Sequence, residues 1–310
     1  MRIIFLGTAS FSSTVLKGLI RDGHNIVAVV CQPDKPSGRG NKVIFPEIKM
    51  VALELNIPVY QFNKIRVDGV ETLKNIGADI MVTASYGQIL SQEIIDICPF
   101  GIINVHGSLL PKFRGATPIQ SAIMEGEKET GVTIMKTEAG IDTGDMLISE
   151  KVKIEDDDTY GSLSQKMAEV GARLCSKALS QIENGDANFT PQDETKATYC
   201  KMFKKEDTLV DFNKTSSEIV NFIRALNPNP IAYFMLGCES FKVFSARSVE
   251  YSGSEKNSTV IFADGKKGFV VRCLDGAVEL LEITPPSSKK MSAKSYLNGK
   301  KIELGSICNE

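Results

Sequence analysis

Histidine is scarce in this chain: there are two in 310 residues, His24 and His106. An H-E-x-x-H helix or a histidine cluster is therefore excluded, and no catalytic metal is expected. The seven cysteines (Cys31, Cys98, Cys175, Cys200, Cys238, Cys273, Cys308) include no C-x-x-C pair, which removes zinc ribbons and dithiol redox motifs. Odd in number and scattered, they read as reduced thiols of a cytoplasmic protein. A G-x-S-x-G elbow is missing, so a hydrolytic serine is unsupported. A G-x-x-x-x-G-K-[ST] loop is missing too, which argues against a P-loop ATPase. The first turn, Gly7-Thr8-Ala9-Ser10-Phe11, has one glycine where a dinucleotide fingerprint needs three, which disfavours a nicotinamide enzyme. Nothing approaches the roughly 20 apolar residues of a membrane span. The run Ile3 to Gly7 is too short for a signal sequence.

What is present suits one large or two ordinary globular domains: 42% hydrophobic and 24% charged residues, with a net charge of −2. A dedicated duplex-DNA binder would be more basic. Charge is nonetheless uneven. Residues 208–310 carry 13 basic against 11 acidic side chains, and the remainder is net acidic. That asymmetry neither requires nor excludes a polyanionic partner.

Arg2 to Gly7 predicts a buried strand, and a helix follows with Val15, Leu16, Leu19 and Ile20 on one face. Asn25 to Cys31 is a second strand, giving a β-α-β start of the doubly wound kind. Gln32 to Phe45 reads as a long loop with Lys35, Arg39 and Lys42, and Lys49 just beyond. It is either a solvated loop or a basic arm that orders on a phosphate-rich substrate. Pro46 suits a helix start, with Ile48, Val51, Ala52 and Leu55 inward. Pro58 to Gln61 is a short strand, Asp68 to Ile76 a helix, Asp79 to Ala84 a buried strand and Glu93 to Ile97 a short helix. Pro118 to Met124 is again helical. Val132 to Lys136 and Met146 to Ile154 read as strands joined by the acidic, glycine-containing loop Glu138 to Asp145. Asp156 to Asp158 suit a helix N-terminus better than a metal site, and the helix runs from Thr159 to Glu183.

Residues 189–207 are polar, lack periodicity and read as a linker between domains at 1–188 and 208–310. Thr215-Ser216-Ser217-Glu218 is a capping box that opens a helix ended by Asn227-Pro228-Asn229-Pro230. Five strand-like runs follow (231–236, 241–246, 259–263, 269–273 and 277–283), as a small OB-like β-barrel requires.

The chemistry concentrates in Gly101 to Gly115, GIINVHGSLLPKFRG. If Asn104 to His106 ends a strand, Asn104 and His106 share one face and Val105 takes the other. Strand C-terminal ends are where open α/β sheets bind ligands. A lone histidine can also be a hydrogen-bonded structural residue, the reading that fits His24. For His106 the amide two residues earlier, the strand end and the turn carrying Gly107 and Pro111 favour chemistry. With no protein nucleophile, polarising groups of this kind suit direct transfer between two bound substrates. Asp142 and Asp145 are rival carboxylate partners, and spacing does not choose between them.

The stretch Asn104 to Pro111 with Arg114-Gly115, then Gly131-Val132-Thr133 and Ile141-Asp142-Thr143-Gly144-Asp145, resembles the folate-dependent formyltransferases over essentially the whole chain. The QPDKPSGRG loop is similar to the acceptor-stem loop of the branch acting on charged tRNA. Lys290 to Ala293 and Leu297 to Gly299 resemble the end of the same branch, whereas Asn229 stands where it usually has an aromatic residue. The resemblance implies an α/β, Rossmann-like formyltransferase domain followed by a small OB-like domain that binds tRNA. It implies transfer of formyl from the co-substrate 10-formyltetrahydrofolate to the α-amine of methionyl-initiator tRNA for translation initiation, without metal, membrane or obligate protein partner. Asn104, His106 and, by the family pattern, Asp142 would be catalytic. Ser108, Leu109, Leu110 and Pro111 would lie beside the folate, with the pterin held by backbone near Gln88 to Leu90 and by residues 138–142. Arg39, helped by Lys35 and Lys42, would engage the tRNA. Formylation of a sugar-nucleotide amine or another small amine, or non-catalytic RNA binding with a vestigial formyltransferase site, are the alternatives.

Overall fold

The computed structural model describes residues 1–37 and 42–310. Two compact units emerge, and neither is continuous in sequence. The first comprises Met1–Pro118, Glu129–Lys153 and Ser164–Cys200, and the second Ile119–Lys128, Ile154–Leu163 and Lys201–Glu310.

The first unit opens with β1 (Arg2–Gly7), α1 (Ser10–Arg21) and β2 (Asn25–Cys31), as expected. Next come β3 (Lys35–Ser37), β4 (Lys42–Ile44), α2 (Glu47–Glu54), β5 (Val59–Gln61), α3 (Ile65–Asp68), α4 (Val70–Ile76), β6 (Ile80–Ala84) and α5 (Gln92–Ile95). Along the chain follow β7 (Ile102–His106), β8 (Arg114–Gly115), α6 (Pro118–Met124), β9 (Glu129–Lys136), β10 (Met146–Lys153), the long α7 (Tyr160–Asn184) and β11 (Tyr199–Cys200); α6 beyond Pro118 and the start of α7 through Leu163 belong to the second unit. Seven of the strands form one sheet in the order β10-β9-β7-β6-β1-β2-β5. The pairs from β7 to β5 are parallel, while β9 and β10 add antiparallel. From β1 the chain moves outward to β2 and β5, then crosses back to place β6 and β7 on the other flank. The carboxyl ends of β1 and β6 therefore flank a topological switch point.

The apolar runs are buried on both faces: Ile3 to Leu6, Ala28 to Cys31 and Ile80 to Val82 show no exposed surface, as a parallel sheet covered on both sides demands. Val105 faces α7 closely because residue 171 is glycine; a Cβ there would lie 2.8 Å from Val105 Cγ1. Ile102, on the opposite face, joins the core cluster of Met81, Tyr86 and Ile94. That face also carries Asn104 and His106 at the strand end. Five of the seven cysteines are buried, and burial pushes the Cys31 and Cys98 thiols up to about 11 and Cys308 up to about 12. Such thiols are unreactive at neutral pH.

Several local expectations need correction. The loop read at Gln32 to Phe45 contains an antiparallel hairpin, Lys35–Ser37 against Lys42–Ile44; its arms are too short to register as alternation. Leu55, expected inward, is the exposed residue just beyond α2, where the chain has left the helical face. The helix expected over 68–76 is two, divided at Gly69. Beyond these corrections, the stretch 189–207 carries β11 and a 3-10 turn at Glu194–Lys196, a second 3-10 turn runs over Glu206–Thr208, and β11 pairs in parallel with β8.

In the second unit α8 (Ser216–Ala225) begins with the expected capping box, Thr215 and Glu218 bonding reciprocally. The sheet then comprises β12 (Ala232–Leu236), β13 (Glu239–Val249), β14 (Val260–Asp264), β15 (Gly268–Arg272), β16 (Ala277–Thr284) and the short β17 (Met291–Ser292). Their antiparallel order is β12-β13-β16-β15-β14, with β17 on β16. A helix absent from the sequence reading, α9 (Ala293–Gly299), starts at an N-cap serine, Ser292. Phe212, Phe234, Phe241 and Phe269 fill the core; Phe234 stacks on Phe241 at 5.2 Å and meets Phe269 edge-on at 5.7 Å.

Residues 305–309 close this sheet into a small barrel. Cys308 bridges Leu236 of edge strand β12, and Ile307 bridges Thr259 beside the other edge, β14. Asn309 completes the seam: Oδ1 accepts from Met235 N at 2.9 Å and Nδ2 donates to Val210 O at 2.8 Å. Closure removes edges that would otherwise stay unpaired. Asn309→Ala strands both backbone groups, so it is expected to cost about 1–3 kcal/mol, read as a lower urea midpoint. An unchanged midpoint would show that Asn309 does not hold the seam.

Candidate active site

Register builds the site first. On parallel β6 and β7, Thr83 stands beside Asn104. Its hydroxyl donates to Asn104 Oδ1 at 2.9 Å. The acceptor end of the amide is thereby occupied, and Nδ2 is aimed away from β6, 3.4 Å from Asp142 Oδ1. Thr83 was not singled out from sequence, although aligning the ends of the DIMVTA and INVH runs would have placed it there.

His106 is buried, with 5% of its surface exposed. Its Nε2 lies 3.0 Å from Phe113 O. A carbonyl can only accept, so Nε2 carries a hydrogen and donates. The nitrogen left to gain or lose a proton is Nδ1, which faces Asp142 Oδ2 at 3.6 Å. Phe113 presents that carbonyl from a left-handed backbone, φ 60, pinned where Phe113 N donates to Thr198 Oγ1 at 2.8 Å.

Asp142 is also left-handed, φ 51, at the crest of the loop between β9 and β10. Its Oδ2 accepts from Gly115 N at 2.8 Å. Residue 115 has φ 115, and a Cβ there would meet Cys200 O at 2.2 Å, so only glycine fits. Asn104, His106 and Asp142 thus converge. Among the described residues, Asp145, the rival carboxylate of the same loop, bonds to none of the three; its carbonyl accepts from Lys136 N.

Thr133, opposite His106 on β9, holds the Ser108–Pro111 turn: its hydroxyl donates to Ser108 O at 2.7 Å and accepts from Leu110 N at 3.2 Å. Ser108 is buried and donates to Lys112 O at 2.5 Å. Leu110 is buried, and Leu109 and Pro111 are half-buried. Gln88 spends its side chain on the protein, donating to Phe62 O and accepting from Ile65 N, while Leu90 is half-buried beside it. At the hairpin, Lys35 is exposed and Lys42 opens β4; Arg39 lies outside the described residues. Among the described residues no group of three histidine, cysteine or carboxylate side chains could hold a metal, and no helix is long and apolar enough to cross a membrane.

Behind the site lies a support that the sequence did not reveal. Fully buried Arg114 pairs with Glu194 through Nη1 at 2.9 Å and Nη2 at 2.7 Å. It also donates to Gln192 Oε1 and to Tyr199 OH. Glu194 holds the guanidinium more firmly protonated than usual, and Arg114 holds the Glu194 carboxyl below its ordinary value.

An amide, an imidazole and a carboxylate that meet at the strand ends of a doubly wound sheet suit a group-transfer enzyme. Comparison with known proteins supports that class. Residues 1–179 match the formyl transferase family and residues 202–301 its C-terminal domain. The chain therefore belongs to the formyl transferase family. It is 44% identical over 307 residues to a methionyl-tRNA formyltransferase of Sulfurihydrogenibium sp., covering 98% of this chain and 99% of that one. It is 41% identical over 308 residues to the methionyl-tRNA formyltransferase of Ruminiclostridium cellulolyticum, covering 98% of each. Among solved structures, an N-formyltransferase from Helicobacter canadensis bound to folinic acid and dTDP-3-aminofucose shares the fold, with TM-score 0.67 and 21% identity over 93% of this chain and 99% of that one.

The hairpin is anchored by a small polar cluster. Lys49 Nζ donates to Asp34 Oδ2 at 2.6 Å and to Gln61 Oε1 at 3.0 Å. Lys49, then Gln61, hold the Asp34 carboxyl below the usual range. A carboxyl lowered on folding stabilises at neutral pH, and that contribution is lost as pH falls through its folded value. Asp34→Asn is therefore expected to be less stable than wild type at pH 7 and to converge with it as pH falls below the ordinary carboxylate range in urea unfolding. A gap that does not change with pH would contradict the pairing.

Proposed function

We propose that this chain transfers the formyl group of 10-formyltetrahydrofolate to the α-amine of methionyl-initiator tRNA in the cytoplasm. Residues 1–188 carry the chemistry, 208–310 bind tRNA and 189–207 join them. The observation that carries the reading is the convergence of Asn104 Nδ2 and His106 Nδ1 on Asp142, in a chain whose full-length relatives are named for this activity.

The residues present fit a folate formyl donor. The Thr133-clamped turn at 108–111 supplies an ordered, partly apolar wall. Backbone near 88–90 and in the 138–142 loop is available for a pterin ring. The tRNA amine is the nucleophile; a free α-amine titrates at about 7.7–8.0, so a useful fraction is neutral near pH 7. Negative charge develops on the formyl oxygen as the amine attacks. The Asn104 amide, its orientation fixed by Thr83, donates to that oxygen. The attacking amine sheds one proton, which His106 Nδ1 takes up; the imidazolium so formed is a second donor to the oxyanion and passes the proton, through water, to the folate nitrogen as its bond to the formyl carbon breaks. Asp142 supplies the compensating negative charge. Donors fixed in advance stabilise a transition state without reorganising, and one of them is typically worth roughly 2.7–4 kcal/mol.

Arg39 reads the acceptor end, while Lys35 and Lys42 position the phosphates. Labelled formyl is offered from 10-formyltetrahydrofolate to methionyl-initiator tRNA and, in parallel, to a dTDP-amino sugar. Label is expected on the tRNA; label on the sugar alone would sink the reading. His106→Ala should lower turnover by about 10²–10⁴ with tRNA affinity nearly unchanged. Arg39→Ala should weaken productive tRNA engagement, and no effect of Arg39→Ala on affinity or rate would remove the loop from the assignment.

A further inference from the structure

Asp142 is held at two points. Gly115 N holds its carboxylate, and the Gln192 side chain holds its backbone. Gln192 Nε2 donates to Asp142 O at 2.8 Å and to Gly144 O at 2.7 Å, spending both amide hydrogens on the crest of one loop. Its other end, Oε1, accepts from Arg114 Nε at 3.0 Å and Nη2 at 2.8 Å. Arg114 in turn sits between the two residues that orient the site: Phe113, whose carbonyl fixes the His106 ring, and Gly115, whose amide fixes the Asp142 carboxylate.

We infer that Gln192 is a positioning residue for catalysis, joining the strand that orients His106 to the loop that carries Asp142. Its amide has a direction. The oxygen faces a guanidinium and the nitrogen faces two carbonyls, so the side chain fits only one way round. A left-handed residue such as Asp142 stays in place only when its surroundings over-determine it, and Gln192 supplies that determination from outside the loop. Without it, the carboxylate would keep one anchor and could drift from His106 Nδ1 and Asn104 Nδ2. A misplacement of about 1 Å at a reacting group can cost roughly 100-fold in rate.

This inference rests on the proposed role of Asn104, His106 and Asp142, and the test separates the two. Gln192→Glu is isosteric. It keeps an acceptor for Arg114 but turns oxygen against both carbonyls, so it removes only the link to the loop. Gln192→Ala removes both links. Single-turnover formyl transfer and steady-state constants would be measured for each, beside His106→Ala and hydrogen exchange at the Gly115 amide. Both Gln192 variants are expected to lose about 10- to 100-fold in the transfer rate while KM for methionyl-tRNA changes by less than about threefold. The Gly115 amide, its carboxylate acceptor loosened, should exchange faster. Wild-type transfer by Gln192→Glu would mean that Gln192 serves Arg114 alone, overturning the inference. A loss confined to KM would overturn it as well. Should His106→Ala itself retain activity, the reading of the site would fail instead. If Gln192→Ala does not fold, the isosteric variant still decides.

Discussion

The Asp142 carboxylate is the fixed point of this enzyme. It lies within 3.6 Å of His106 Nδ1 and 3.4 Å of Asn104 Nδ2, and each of these groups is independently constrained from behind. Thr83 sets the amide, the Phe113 carbonyl sets the imidazole, and the Gly115 amide sets the carboxylate itself. Side chains alone could not hold such an arrangement, because each has rotamers that break it. The Thr83 hydroxyl holds one member, and main-chain groups of Phe113 and Gly115 hold the other two, which goes with the non-standard backbone conformations gathered here. Phe113, Gly115 and Asp142 all have positive φ. That strain is of the order of 1–3 kcal/mol per non-glycine residue and survives only under tertiary constraint.

The sheet explains why this constraint is possible. Crossing from the β5 edge back to β6 leaves the carboxyl ends of β6 and β7 side by side in register, with Thr83 beside Asn104. The antiparallel additions β9 and β10 then bring the 137–145 loop back over the end of β7. Gly171 of α7 lets the opposite face close tightly on Val105. β7 is therefore closely packed on the Val105 face, while on the other face Asn104 is half-buried near the strand's end.

Much of this was readable from residue order. Strict alternation placed Asn104 and His106 together, and unbroken apolar runs announced the parallel strands. Turn residues separated the barrel strands, and Thr215 with Glu218 marked the start of their helix. The family pattern favoured Asp142 over Asp145, where spacing was silent. What could not be read was whatever depends on distant backbone. Gln192 meets Asp142 and Gly144 across 50 and 48 residues and touches only their carbonyls, so no periodicity or motif marks it. The barrel seam is similar: residues 305–309 close two edges through main-chain bridges, and nothing in a glycine, a serine and an asparagine announces it. The exposed Leu55 failed for a simpler reason, since a helix that stops one residue early turns its last apolar position outward.

The central claim is that preset donors around Asp142, and not a protein nucleophile or a metal, lower the barrier to formyl transfer. The most direct measurement is the single-turnover rate from 10-formyltetrahydrofolate to methionyl-tRNA for Asn104→Ala, with tRNA affinity measured on the same sample. Loss of one oxyanion donor predicts a rate about 10²–10³ lower, with affinity within about twofold of wild type. A rate within about threefold of wild type would contradict it, for Asn104 would then be structural.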